Sequence, residues 1–341
     1  MANERSVLLV GSVPLPTASD VFETVAASLG ELAPRIPDGE VGERLLWILC
    51  QQGAIDRAQG LELAGERIIQ GGYKFRQYKI PAGGNASAVQ FGALGYAEWA
   101  KRSYADFGRL KSQGRVPKAA RFQVSLPSPL DVTMAFFLPS DVKAIWPVYE
   151  RAMTAEVDEI ARAIPHADLA IQWDMSTEFQ GIMENPERKR LFPPRDMADA
   201  IARVSEHVPA AAELGLHCCY GDPGHKHIVE PTDTANMVEL CNLFVTETRR
   251  SISWIHMPVP KERDDDAYFA PLRNLKLKPG TQLYLGLVHM TDGIDGARRR
   301  LAAAKKVVSD FGIATECGFG RRSPETLPAL LELHRDVARL G

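Results

Sequence analysis

Among 341 residues the chain has only five cysteines and eight histidines, the side chains that most often carry crosslinks or metal chemistry. The cysteines (Cys50, Cys218, Cys219, Cys241 and Cys317) are odd in number and mostly far apart, which argues against a disulfide framework and for a reducing compartment. Long apolar runs are lacking as well. In the N-terminal stretch MANERSVLLVGSVP the apolar run between Ser6 and Gly11 is too short for a signal-peptide core or a membrane span, so a cytoplasmic protein with no membrane partner is expected. There is no excess of one charge: the formal net charge is -3 and the basic residues are scattered, which leaves no electrostatic footprint for nucleic acid. The dinucleotide signature Gly-x-Gly-x-x-Gly is also missing after the first apolar run, where VGSVPLP stands, so a doubly wound nucleotide-binding sheet is disfavoured.

What the chain does have is alternation. Eight short apolar runs recur along it: SVLLVGS (6–12), PRIPDGE (34–40), RFQVSLP (121–127), LAIQWDM (169–175), LGLHCCY (214–220), SISWIHM (251–257), QLYLGLVH (282–289) and GIATECG (312–318). Amphipathic segments with apolar residues at three- and four-residue steps lie between them, among them DVFETVAASLGEL and DGARRRLAAAKKVVSDF. Several begin with a capping residue, as in Ser323-Pro-Glu. This pattern predicts an α/β fold of the (β/α)8 TIM-barrel type, forming one domain over residues 1–341. Residues 45–120 exceed what one helix needs and predict a long excursion after strand two. Its aromatic residues (Trp47, Tyr73, Phe75, Tyr78, Phe91, Tyr96 and Trp99) either line a pocket or form a satellite core.

Barrels of this kind build their sites at the carboxyl ends of the strands. The eight runs end in Gly11-Ser12, Asp38-Gly39-Glu40, Gln123 with Ser125, Asp174, His217 with Cys219, His256, His289 and Cys317-Gly318. Imidazoles and thiols from segments far apart in the chain thus fall at one rim. Strand alternation sends His217 and Cys219 into the mouth and Cys218 toward the helices. His217, Cys219 and Cys317 therefore make a candidate Zn2+ site, because soft thiolate and imidazole donors select zinc, and three protein ligands leave a position for substrate. Cys50 and Cys241 fall in helical patterns and are assigned to the core. His225 and His227, in the loop GDPGHKHI, either close over a substrate or are solvated. His166, His207 and His334 have no special claim.

The ordered set of these motifs resembles the catalytic barrel of the cobalamin-independent methionine synthase family, a group of zinc-dependent thiol alkyltransferases. The resemblance is carried by Gly11-Ser12, by Gly39-Glu40 with Arg44, by Gln172-Trp173-Asp174, by His217-Cys218-Cys219-Tyr220, and by Cys317-Gly318-Phe319-Gly320 with Arg321. It implies zinc held by His217, Cys219 and Cys317, a thiol substrate activated as the thiolate, and attack on an alkyl group, usually a methyl. It also implies that Ser12, Glu40 and Asp174 hold the amino-acid part of a small-molecule thiol, and Gln123 joins them as a substrate-binding candidate.

Two departures stand out. Where the family supplies a glutamate to zinc the chain has His256, which is then either a fourth ligand or an acid–base group. His289 stands where relatives often carry an aspartate. His256, His289 and Asp174 are accordingly the catalytic candidates. The chain carries no second, folate-binding barrel, so the expected alkyl donor is a corrinoid protein, free methylcobalamin, or an aryl or sulfonium methyl compound. The competing readings are a zinc-dependent lyase or addition enzyme using His256 and His289 as acid–base groups, and a metal-storage or small-molecule-binding barrel.

Overall fold

The computed structural model describes residues 4–223 and 226–340, so the loop histidine His225 lies outside the described residues. Along the chain come α1 (Ala18–Leu29), β1 (Arg35–Pro37), α2 (Gln52–Asp56), the strands β2 (Glu62–Ile68) and β3 (Lys74–Lys79), α3 (Tyr96–Ser112), β4 (Arg121–Pro127), α4 (Pro129–Phe136) and α5 (Val142–Ala163). The second half carries β5 (Leu169–Met175), a π-helical stretch (Thr177–Met183), α6 (Pro186–Leu191), α7 (Pro194–Ser205), β6 (Glu213–Cys218), α8 (Ala235–Glu247), β7 (Trp254–Pro258), α9 (Asp266–Phe269), β8 (Gln282–Gly286), α10 (Gly293–Lys305), β9 (Gly312–Ile313) and α11 (Leu327–Ala338). Seven strands pair in the order β1-β4-β5-β6-β7-β8-β9, every pair parallel, while β2 and β3 form a separate antiparallel hairpin. Strands covered on both faces must be apolar throughout, and β5, LAIQWDM, is buried at all seven positions. No helix among the described residues is long and apolar enough to cross a membrane.

The architecture is α/β and TIM-barrel-like, but the ladder is a curled seven-stranded sheet and not the closed eight-stranded barrel expected. The segment expected as the first strand, 6–12, runs between the two sheet edges and meets them through isolated bridges, Val7 with Ile313 and Ser12 with Gly39. Its departure from a regular ladder has a visible cause. The Leu9 and Val10 carbonyls are taken by side chains: Gln123 Nε2 donates to both, at 3.0 and 2.9 Å, and Gln172 Nε2 donates to Val10 at 2.6 Å. Buried carbonyls need partners, and two glutamine amides here replace a neighbouring backbone.

The ladder also ends earlier than the apolar runs. β6 stops at Cys218, β8 at Gly286 and β9 at Ile313, so the residues beyond them, Cys219, His289 and Cys317 among them, leave the sheet on loops. Helix starts follow their sequence signals only in part. The Thr17 and Ser128 side chains accept from Asp20 N and Asp131 N as caps of α1 and α4. Ser323, expected to cap, bonds Glu325 through its hydroxyl instead, and a 3-10 turn over Pro324–Thr326 leads into α11.

Between β1 and β4 the chain runs through a 3-10 stretch (Gly42–Gln51), α2, the hairpin and α3. Its aromatic residues divide between the two expected roles. Phe91 packs edge-on against Tyr149 at 5.2 Å and Tyr96 against Trp99 at 5.7 Å, while Trp47, Tyr73 and Phe75 line a cavity.

Candidate metal centre

Strand register sets the site. Asp174 lies opposite His217, and His217 opposite His256, so β5, β6 and β7 present three polar side chains at one level. One residue past β6, Cys219 N still donates to Met175 O at 2.9 Å, which extends the pairing just far enough to fix its thiol beside His217. Cys317 arrives from the loop after β9, and the Sγ atoms of Cys219 and Cys317 lie 3.8 Å apart. The donor atoms of His217, Cys219 and Cys317 all fall within 4.8 Å of one another. Cys218 faces α8, where its Sγ is 3.6 Å from that of Cys241.

The imidazole chain behind this cluster fixes a tautomer. A carbonyl can only accept, so the 3.0 Å contact between His256 Nε2 and Thr315 O places the His256 proton on Nε2. Burial, then the neighbouring His217, hold the His256 pKa well below its ordinary value, so the ring is neutral and its Nδ1 is a lone pair. His217 Nδ1–H therefore donates to His256 Nδ1 at 2.7 Å. His217 Nε2, on the other side of the ring, is buried without a hydrogen-bond partner among the described residues. His256, expected as a fourth ligand or acid–base group, has both ring nitrogens committed and does not line the cavity. It stands behind His217 as its hydrogen-bond partner, a place that its strand-end position could not distinguish from ligation.

The two sulfurs are not equivalent. The Cys219 thiol donates to Cys317, which with the guanidinium of Arg321 draws the Cys317 pKa well below its ordinary value, against the effect of burial. Arg321 Nη2 lies 3.4 Å from Cys317 Sγ and 2.9 Å from Asp222. Cys219 is pushed up, first by that bond to Cys317 and then by burial.

Opposite the sulfurs stand Glu40 and Asp174. Burial pushes the Glu40 carboxyl up to about 8, opposed by Arg44 and assisted by Asp38. Burial, then Glu40 itself, raises Asp174 well above the carboxylate range. Glu40 is held in a left-handed backbone conformation (φ 49), and Gly39 before it has φ 78 with Val21 Cγ2 only 2.6 Å from where a Cβ would stand. That turn admits glycine alone. Asp38 braces it: it accepts from Glu40 N at 2.9 Å and from Ser103 Oγ at 2.7 Å, and pairs with Arg44 at 2.7 Å. The bracing role of Asp38 was missed in the sequence, although an Asp directly before a Gly-Glu turn is its signal. Ser12 also lines the cavity, its Oγ accepting from Gly320 N at 3.1 Å. Gly318 is required beside it, since a Cβ there would lie 2.3 Å from that oxygen.

Gln123, expected to bind substrate, is fully buried and does not line the cavity; its Nε2 donates to the Leu9 and Val10 carbonyls, and its Oε1 has no partner among the described residues. His289 does not face the main cavity either. Its Nε2–H donates to Val259 O at 2.9 Å and its Nδ1 is 3.3 Å from Glu316, lining a separate recess of about 260 Å³. His227 is neither solvated nor open to the substrate side. It is buried and paired with Glu316 at 2.8 Å; burial opposes its charge, but Glu316 and then Glu230 more than offset that and raise its pKa to about 9.

The main cavity is about 560 Å³, with Ser12, Glu40, Asp174, His217, Cys219 and Cys317 at its polar floor. Such a volume suits a small organic molecule. The site can hold a metal ion on one imidazole and two sulfurs and leave room above it.

In fold, the chain is similar to a B12-independent methionine synthase from Shewanella sp. solved in complex with selenomethionine (TM-score 0.67, 14% identity, covering 99% of this chain and 98% of that one). It is also similar to a putative vitamin-B12 independent methionine synthase from Listeria monocytogenes (TM-score 0.55, 13% identity, covering 94% and 86%). No family model and no curated protein matches the chain. The likeness is one of fold.

Proposed function

We propose that the protein is a zinc-dependent thiol alkyltransferase in which His217 Nε2 and the sulfurs of Cys219 and Cys317 hold the metal. The carrying observation is the trio itself: its donor atoms lie within 4.8 Å of one another, the sulfurs are 3.8 Å apart, and His217 Nε2 is buried without a hydrogen-bond partner among the described residues. Two sulfurs at corners of a tetrahedron of ~2.3 Å bonds would be about 3.8 Å apart, so the sulfur spacing fits zinc. Zinc, when bound, supplies a Lewis acid that keeps a thiol deprotonated near neutral pH and so makes it a nucleophile.

The chain's own residues do the rest. Glu40, raised by burial and then by Asp38, and Asp174, raised by burial and then by Glu40, resist full ionisation until a cation arrives. An ammonium group entering the floor would favour that ionisation and pair with both carboxylates. Ser12 offers a hydroxyl, and the apolar walls keep water from competing for the alkyl group. The methionine synthase likeness and a small-molecule thiol substrate agree with this arrangement. The rival lyase reading relies on His256 and His289, neither of which lines the cavity, so it has no comparable support.

The test is metal content. Purified protein should carry about one zinc per chain and a Cys219→Ala variant none. A variant that remains fully loaded would overturn the ligand assignment.

A further inference from the structure

The metal centre and the carboxylate pair occupy only the floor of the cavity. Above them the wall is apolar and largely aromatic, formed by Trp47, Ile69, Tyr73, Phe75, Phe137 and Phe192. Three of the large hydrophobic side chains that remain exposed in the described chain, Leu46, Leu191 and Ile228, also line it. Exposed apolar side chains gathered round one opening mark a surface that expects to be covered.

At the same rim stand two arginines. Arg67, on the hairpin strand β2, reaches only the backbone carbonyls of Ala135 and Met134, at 3.4 and 3.5 Å. Arg188, on α6, reaches only the Gly181 carbonyl, at 3.3 Å. Among the described residues neither meets a carboxylate, although most other arginines in the chain do. The two guanidinium groups feel each other: Arg67 has its pKa lowered first by burial and then by the charge of Arg188. Two like charges converging on an apolar opening, without a protein anion between them, leave an attractive place for an anion from outside.

The cavity is therefore graded: carboxylates and sulfurs below, hydrocarbon and aromatic rings in the middle, and paired cationic forks above. We propose that its upper part binds an amphiphilic organic anion, with an apolar or aromatic body against Tyr73 and Phe75 and a carboxylate or another compact anionic head between Arg67 and Arg188. This deepens the alkyltransferase reading and rests on it for one point, that the end of the ligand farthest from the anionic head faces the sulfurs.

The experiment is calorimetric titration of the full chain with phenylbutyrate, phenylbutanol and phenylbutylamine, probes that share a body and differ in head charge. Phenylbutyrate should bind about tenfold tighter than the alcohol, with the amine weakest. Arg67→Met and Arg188→Met, both at exposed positions, should each weaken phenylbutyrate about fivefold and leave the alcohol unchanged, while Tyr73→Ala should weaken acid and alcohol alike. Acid and alcohol binding equally, failure of the acid to bind at all, or an arginine effect shared by all three probes would each overturn the inference. Cys219→Ala keeps this test separate from the floor: it should lose the metal and still prefer the acid. Loss of the acid preference in a protein with a full complement of zinc would sink the upper subsite alone.

Discussion

A histidine is a dependable ligand when its second nitrogen is held, and His217 meets that condition through His256, which Thr315 O holds in turn. The relay predicts that His256→Leu, which removes the acceptor without touching a ligand, lowers zinc affinity about 10- to 100-fold in competition with a chelator. Unchanged affinity would mean that the relay is idle. A second residue-scale consequence concerns Gln123. Replacing it by Leu strips the side-chain donor from the Leu9 carbonyl, while Val10 O keeps Gln172 and Ser125, and should cost about 1–3 kcal/mol for the one carbonyl left unpaired, read from chemical denaturation midpoints. A stability loss below ~0.5 kcal/mol would show that water or backbone adjustment replaces the amide. Strand ends and alternation place His217, Cys219 and Cys317 at one rim from the sequence, and the structure brings their donor atoms within 4.8 Å of one another. Gln123 and His256 stand at strand ends too, and only the coordinates reveal that Gln123 Nε2 and both His256 ring nitrogens are hydrogen-bonded.

At the scale of elements, the loop after β6 is tied to the loop after β9 by His227 with Glu316, 2.8 Å apart. The pairing gives that loop a pH dependence whose sign follows from the shift. Burial works against a charged His227, yet the facing carboxylates raise its pKa from 6.5 to about 9. The folded state therefore holds the proton more tightly than the unfolded one. The stability this contributes is present in full below pH 6.5 and is lost as pH rises through about 9. His227→Gln should flatten the fall of the thermal midpoint between those limits; an identical fall in the variant would exclude the pair as its source. The sequence does not announce this tie, since a loop histidine reads as solvated until its partner, eighty-nine positions away, is brought beside it. The strand runs themselves were readable as elements, because parallel strands must be apolar on both faces, but their ends were not. Apolar continuity carries on past the last ladder bond at β6, β8 and β9.

Over the whole molecule, βα alternation was enough to predict an α/β, TIM-barrel-like scaffold, and the solved structures of similar fold agree with it. It did not reveal the seam at residues 6–12, where side-chain amides stand in for a ladder, because nothing in an apolar run tells which atoms its carbonyls will meet. The long connection from β1 to β4 supplies Trp47, Ile69, Tyr73 and Phe75 to the cavity's apolar wall, so substrate choice should follow that connection in part while the polar floor follows the strand ends. The central claim about that floor is chemical, and X-ray absorption at the zinc edge tests it most directly. We predict a first shell with two sulfur scatterers at about 2.3 Å and the remainder nitrogen or oxygen at about 2.0–2.1 Å. A shell made only of nitrogen and oxygen would contradict the account.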